Sequence, residues 1–239
     1  MEQRGNRAGN FLHRRDGAAG SGGVDPRVVA LTAPASVEAE QYRALHQRLE
    51  RARGAGPLGV ISLVSATAGE GTTLTAANLA ITAARAHRDR RVLLLELNVQ
   101  APGLADLLGV AHSPGVAEVL SGEANLGDAA RRFHGTPLTV LGAGRAGDAL
   151  PAEWLCAPEL GALLEGMRAN FDEVLLDLPP VLGCADGVRV AARSNGVLWV
   201  VRASQARGDD VGRALELMEG LPLLGCVLND AERPGGWRR

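Results

Sequence analysis

From residue 58 onward, short apolar runs alternate with longer amphipathic stretches. The runs predict strands over 58–65, 92–96, 138–142, 173–177, 197–201 and 224–228. Several are almost continuously apolar, as strands covered on both faces must be. Between them, helical patterning falls at 73–87, 103–109, 115–120, 152–169 and 209–219. Regular strand–helix alternation implies an α/β fold: a doubly wound, mostly parallel sheet with right-handed crossovers. A further helix is expected over 36–53, with Ser36 as its cap and Glu38 and Glu40 in its first turns. Gly54 to Pro57 ends it.

The ends read differently. Residues 1–34 contain a Gly-Ala-Ser-rich stretch at 17–23 and read as a disordered, solvated N-terminal tail. Residues 231–239 read as a short polar tail. The domain expected between them covers 35–230.

Length and composition narrow the function classes. At 239 residues the chain has room for one or two domains. Its formal charge is −2 and aromatic residues make up 3%, so neither a basic field nor stacking platforms argue for nucleic acid. No apolar run approaches the ~18 residues of a membrane span. No apolar signal core opens the chain. The three cysteines, Cys156, Cys184 and Cys226, form no paired motif and read as small apolar residues in a reducing cytosol. All 25 basic residues are arginine; there is no lysine.

The candidate chemistry starts where the first strand ends, at Ser65. The turn Ala66-Thr-Ala-Gly69-Glu70-Gly71-Thr72-Thr73 joins a buried strand to a helix. Glycines there admit a phosphate close to the backbone, and the helix amides and dipole favour an anion. Aligned on the G-x-x-x-x-G-K-[ST] pattern, Thr72 holds the lysine position and Ala66 the first glycine position. Gly69, Glu70, Gly71, Thr72 and Thr73 are the expected nucleotide-binding residues. The strand ending at Asp177 places a carboxylate where Mg²⁺ coordination is expected, with the Thr73 hydroxyl as the second metal contact.

The order of the motifs resembles the kinase domain of the bacterial tyrosine kinases of capsule and exopolysaccharide assembly, over roughly 34–230. Carrying the resemblance are Ser36, Glu40, Tyr42 and Arg43; Gly69 to Gly71 with Asn78 to Ala80; and Leu93 to Gly103. Further along come Gly115 to Gly122, Leu141 to Gly144, Leu150 to Glu153, Asp177 to Pro180, Asp186, and Val227 to Asn229. The resemblance implies an ATP- and Mg²⁺-dependent protein-tyrosine kinase fold. It implies adenine contact at Asn229, catalytic roles for Glu96 and Asp177 if the site is active, and an oligomer or partner surface at Glu40, Arg43 and His46. It also implies a cytoplasmic protein at the inner face of the membrane, working with a polysaccharide co-polymerase or an orthodox kinase.

The departures fall on chemistry. Thr72 replaces the phosphate-loop lysine, Glu96 and Asn98 replace two aspartates, Gln100 replaces an arginine, and His46 replaces the second arginine of the assembly motif. The family's tyrosine-rich C-terminal tail is absent. Losing one preorganised donor to a transition state costs roughly 10²–10³-fold in rate. Three readings follow: a weakly or non-catalytic regulatory subunit, an active autokinase rescued by an arginine such as Arg85, Arg88 or one from a neighbouring subunit, and a membrane-recruited ATPase switch. Tyr42, the single tyrosine, reads as helix packing. Asp186 reads as support for the Pro179–Pro180 loop, and Trp154 and Trp199 as core. His87, His112 and His134 show no metal spacing, and Ser65 has no nucleophile elbow around it.

Overall fold

The computed structural model describes residues 23–53, 59–133, 135–145 and 152–231. Its centre is a seven-stranded sheet: β1 (Gly59–Val64), β2 (Val92–Glu96), β3 (Arg131–Arg132), β4 (Leu138–Leu141), β5 (Glu173–Asp177), β6 (Gly196–Arg202) and β7 (Leu223–Asn229). Their spatial order is β3-β4-β2-β5-β1-β6-β7. All neighbours are parallel except β3, which runs antiparallel to β4 at one edge. The expected doubly wound α/β architecture is therefore the observed one. The two-residue β3 has no strand-length pattern that sequence could reveal.

Side chains alternate across each strand, so the sheet has a core on each face. On one face Ile61, Leu63, Leu94, Leu175 and Leu198 meet Ala76, Ala80 and Ile81 of α3 (Thr72–Ala86). That layer also holds α1 (Val29–Thr32), α2 (Val37–Arg53) and α4 (Leu104–Leu108). On the other face Val60, Leu93, Leu95 and Leu176 meet α5 (Val116–Ser121), α7 (Pro158–Asn170) and α9 (Gly208–Leu217), with α6 (Leu126–Ala129) and α8 (Ala185–Ala191) packed there too. The expected helix over 152–169 is in fact a 3₁₀ segment, Ala152–Cys156, followed by α7. Pro158 lacks the N–H a continuing helix would need and instead starts α7.

The reading of 1–34 as a tail is corrected for its last third. Val28 is fully buried and Ala30 nearly so. Asp25 N–H donates to the Leu107 carbonyl at 2.9 Å. Asn78, buried in α3, accepts from Ala30 N–H at 2.9 Å and donates to the Arg27 carbonyl at 3.2 Å. The segment 25–30 is thus strapped over α3 and α4. Residues 1–22 and 232–239, with Trp237, lie outside the described residues, as do His134 and 146–151.

α2 turns Tyr42 toward α3, where burial pushes its hydroxyl's pKa up and Thr75 and Asn78 oppose the rise. Trp199 is buried, but Trp154 is only half-buried, contrary to its reading as core. Among the described residues no helix is long and apolar enough to cross a membrane.

Candidate nucleotide site

β1 lies between β5 and β6, so its carboxyl end opens at the crevice where ligands of such sheets bind. The loop that follows needs glycine. Gly69 and Gly71 have φ of 85° and 91°, a region that a Cβ disfavours. At Gly71 a Cβ would also stand 2.0 Å from Asn229 Nδ2.

Loop and helix open onto a cleft of about 460 Å³ lined by Ser65, Gly69, Gly71, Thr72, Thr73 and Asn98 on its inner side, with Asp25, Arg27 and Asp106 among its other walls. Thr72 lies in this wall and is 8% exposed; its hydroxyl brings no charge.

Glu70 belongs to the loop but not to the cleft. Its carboxylate accepts from Thr67 N–H at 2.8 Å, the Thr67 hydroxyl at 2.9 Å and Arg202 N–H at 3.2 Å. Its side chain staples the loop to β6, so only its backbone remains for a ligand. Asn229 donates from Nδ2 to the Glu70 carbonyl at 2.9 Å. It clamps the loop from behind, a role that its place in the sequence does not reveal.

Behind the loop lie two carboxyl groups. Glu96 and Asp177 are register partners on β2 and β5, and the strand alternation aims both at the α3 face. Both residues are fully buried. Neither oxygen of Asp177 has a hydrogen-bond partner. Burial first, and the nearby Glu96 second, push its pKa up to about 8, while the Thr73 hydroxyl opposes the rise. A buried carboxyl with both oxygens unclaimed, beside a hydroxyl at a phosphate loop, fits a Mg²⁺ ion held through Asp177 and Thr73.

Glu96 does not join it. One oxygen accepts from the N–H groups of Gly103 at 2.6 Å and Leu104 at 2.8 Å, at the start of α4; the other accepts from Ala143 N–H at 3.1 Å. Burial raises its pKa against the pull of those three amides. Glu96, expected to act in catalysis, is held by these three amides. Its extra methylene carries the carboxylate into the backbone, where it fastens α4 and the end of β4.

The arginines named for rescue are misplaced. Arg85 is 13 residues beyond Thr72 on α3, about 20 Å along the axis, and donates to the Ala30 carbonyl at 2.5 Å. Arg88 lines a separate cleft with Arg132, Gly135 and Pro137. Arg202 reaches the loop, but from outside the cleft: it pairs with Asp230 at 2.9 Å and contacts the Gly69 carbonyl at 3.4 Å. Within the cleft wall the cation is Arg27, which belongs to the stretch that the sequence pattern assigns to the tail. Arg27 chelates Asp25 through Nε at 3.0 Å and Nη2 at 2.8 Å, and these bonds hold the Asp25 carboxyl down at about 2.

The assembly residues divide. Glu40 and Arg43 pair on the α2 surface, with Arg43 Nε 2.8 Å from Glu40 Oε2. His46 is turned inward and is 1% exposed, with Nε2 3.4 Å from Glu173 Oε2. Its expected place on a partner surface is corrected: a short imidazole reaches the buried Glu173 at the foot of β5. Asp186 accepts from Cys156 Sγ at 2.9 Å, joining α8 to the 3₁₀ segment rather than holding the proline loop. Among the described residues no group of three or more metal-ligating side chains is assembled.

No family model matches the chain. It is 28% identical over 204 residues to the tyrosine-protein kinase YwqD of Bacillus subtilis, spanning 84% of this chain and 85% of YwqD. Over 208 residues it is 29% identical to the succinoglycan biosynthesis transport protein ExoP of Rhizobium meliloti, spanning 85% of this chain but 26% of ExoP. Among solved structures, the BceF tyrosine kinase domain superposes with a TM-score of 0.73 at 28% identity, covering 84% of this chain and 81% of that one. The kinase domain of the Escherichia coli tyrosine kinase ETK reaches 0.80 at 24% identity, covering 89% and 83%, which speaks for the fold. With the phosphate loop, the strand order and the Asp177 element in place, the chain is similar over most of its length to the bacterial tyrosine kinases and shares the fold of their kinase domains.

Proposed function

We propose that this chain is a nucleotide-binding, weakly or non-catalytic regulatory subunit of a capsule or exopolysaccharide assembly system. It acts beside a membrane co-polymerase or an orthodox kinase of the same system. The observation that carries the reading is a divided site. The binding half is kept: the Gly69–Gly71 cradle, the start of α3, and Thr73 with Asp177. The transfer half is altered: Thr72 is neutral, and the Glu96 carboxylate is taken up by three backbone amides. Phosphoryl transfer depends on neutralising charge at the β- and γ-phosphates. A missing charge there lowers the rate by roughly 10²–10³-fold or more, while backbone amides and Mg²⁺ still favour binding.

The relatives support the setting, since one is named for succinoglycan transport and another as a tyrosine kinase. ATP or ADP with Mg²⁺ is the ligand proposed. Tyr42 faces α3 and is a poor acceptor for self-phosphorylation.

Calorimetric titration of Mg-ATP, paired with a phosphotyrosine assay on the chain and its candidate partner, tests the reading. Micromolar binding without phosphotyrosine is expected. Phosphate transfer to a tyrosine would refute the non-catalytic assignment and favour an active autokinase. Hydrolysis coupled to ATP-dependent dimerisation would favour an ATPase switch. No binding at millimolar nucleotide would refute the ligand.

A further inference from the structure

A chain without lysine that retains a phosphate loop raises a plain electrostatic question: what meets the negative charge of a polyphosphate? Thr72 cannot, Arg85 and Arg88 lie toward the far end of α3, and Arg202 is spent on Asp230 and the Gly69 carbonyl. The cleft wall otherwise contains two carboxylates, Asp25 and Asp106, the latter paired with His112 at 3.0 Å. Arg27 is the cation among the described residues of that wall.

Its placement is built rather than incidental. The strap that carries it is fixed at both ends and in the middle: Asp25 N–H to Leu107, Asn78 to the Arg27 carbonyl, Ala30 N–H to Asn78, and Val28 buried between. Asn78 sits on the same helix whose first turn is the floor of the cleft, so the strap and the phosphate loop are held in one frame. The guanidinium is aimed by Asp25 through Nε and Nη2, which leaves Nη1 without a protein partner among the described residues. Its side chain is 68% exposed, so it can reach a ligand without breaking a packed contact.

We propose that Arg27 supplies, from the same molecule, the cationic contact to the terminal phosphates of a bound nucleoside di- or triphosphate, with Asp25 as the residue that positions it. The inference rests on the nucleotide reading above and names the group that makes it work without a lysine. A guanidinium suits a polyphosphate because it is planar, always charged, and presents paired donors to phosphate oxygens. Because it enters from the strap and not from the first turn of α3, it meets the phosphates from a different direction than a loop lysine would. That direction serves affinity and leaves the transfer step poorly supported.

The test is binding of Mg-ATP, ADP, AMP and adenosine to the wild-type chain and to Arg27→Ala, Arg27→Gln and Arg27→Lys, with thermal denaturation of each as the folding control. Expected is a loss of about 10-fold or more for ATP in the alanine and glutamine variants, since removal leaves an acidic wall. The loss should shrink with each phosphate removed and vanish for adenosine, while lysine restores most of the affinity. A merely structural role would weaken all four ligands equally, and that result would overturn the proposal. If the wild type binds ATP and Arg27→Ala binds it equally, the role of Arg27 falls and the nucleotide reading stands. If the wild type binds no nucleotide, both fall.

Discussion

Asp177 is an ionisable group that folding buries, and its cost can be measured through pH. Replacing it by asparagine keeps the shape and removes the titration. In the unfolded chain the carboxyl titrates at its ordinary 3.8; in the folded chain burial and Glu96 raise it to about 8. Between those values the native state holds a proton that the unfolded state has released, so stability falls as pH rises. Each unit is worth about 1.4 kcal/mol. From pH 5 to 7.5 the metal-free protein should lose about 3 kcal/mol through this one group, or ~6–12 °C in Tm at this chain length. Asp177→Asn should match the wild type only below about pH 3.8, exceed it by about 2 kcal/mol at pH 5 and by more at pH 7.5, and show a slope between those two pH values shallower by about 3 kcal/mol. Glu96 remains in the variant and contributes a smaller slope of the same sign, because its pKa is also raised. The assay is thermal or urea denaturation in chelator at half-unit pH steps. Parallel slopes for the two proteins, or a variant less stable at pH 7.5, would refute the assignment of Asp177 as a buried carboxyl with no compensating partner.

Two more substitutions probe the frame around the loop. Gly71→Ala should destabilise by about 2–3 kcal/mol, since it forces a side chain into the left-handed region and into Asn229, and Asn229→Ala should relieve part of that loss in the double variant; additive losses would count against the clamp. Glu96→Asp, which restores the family's residue, should cost about 2–3 kcal/mol in denaturation because the shorter side chain cannot reach Gly103, Leu104 and Ala143 together. It should not bring tyrosine phosphorylation, because Thr72 remains; phosphorylation in that variant would place the defect in Glu96 instead.

Sequence alone settled much of this protein. Buried strands are long apolar runs because both faces are covered, and this made 92–96 and 173–177 legible to the residue. The Gly-rich turn between strand and helix marked the phosphate loop, because glycine is the residue that tolerates its backbone angles. The absent lysine was visible by inspection. What sequence did not settle was where side chains of ambiguous type would point. Glu96 reads as a displaced catalytic acid until the nearby amides of Gly103 and Leu104 and the distant amide of Ala143 converge on it. His46 reads as a surface substitution until β5 brings Glu173 beneath it. Arg27 lies in a polar stretch without periodicity, and its place at the cleft depends on Asn78, some fifty residues away. Local patterning records the period of a helix or strand, whereas partners far apart in the chain meet only when the sheet order is fixed. The elements of this protein are written locally; where Glu96, His46 and Arg27 come to rest is decided by the contacts between those elements.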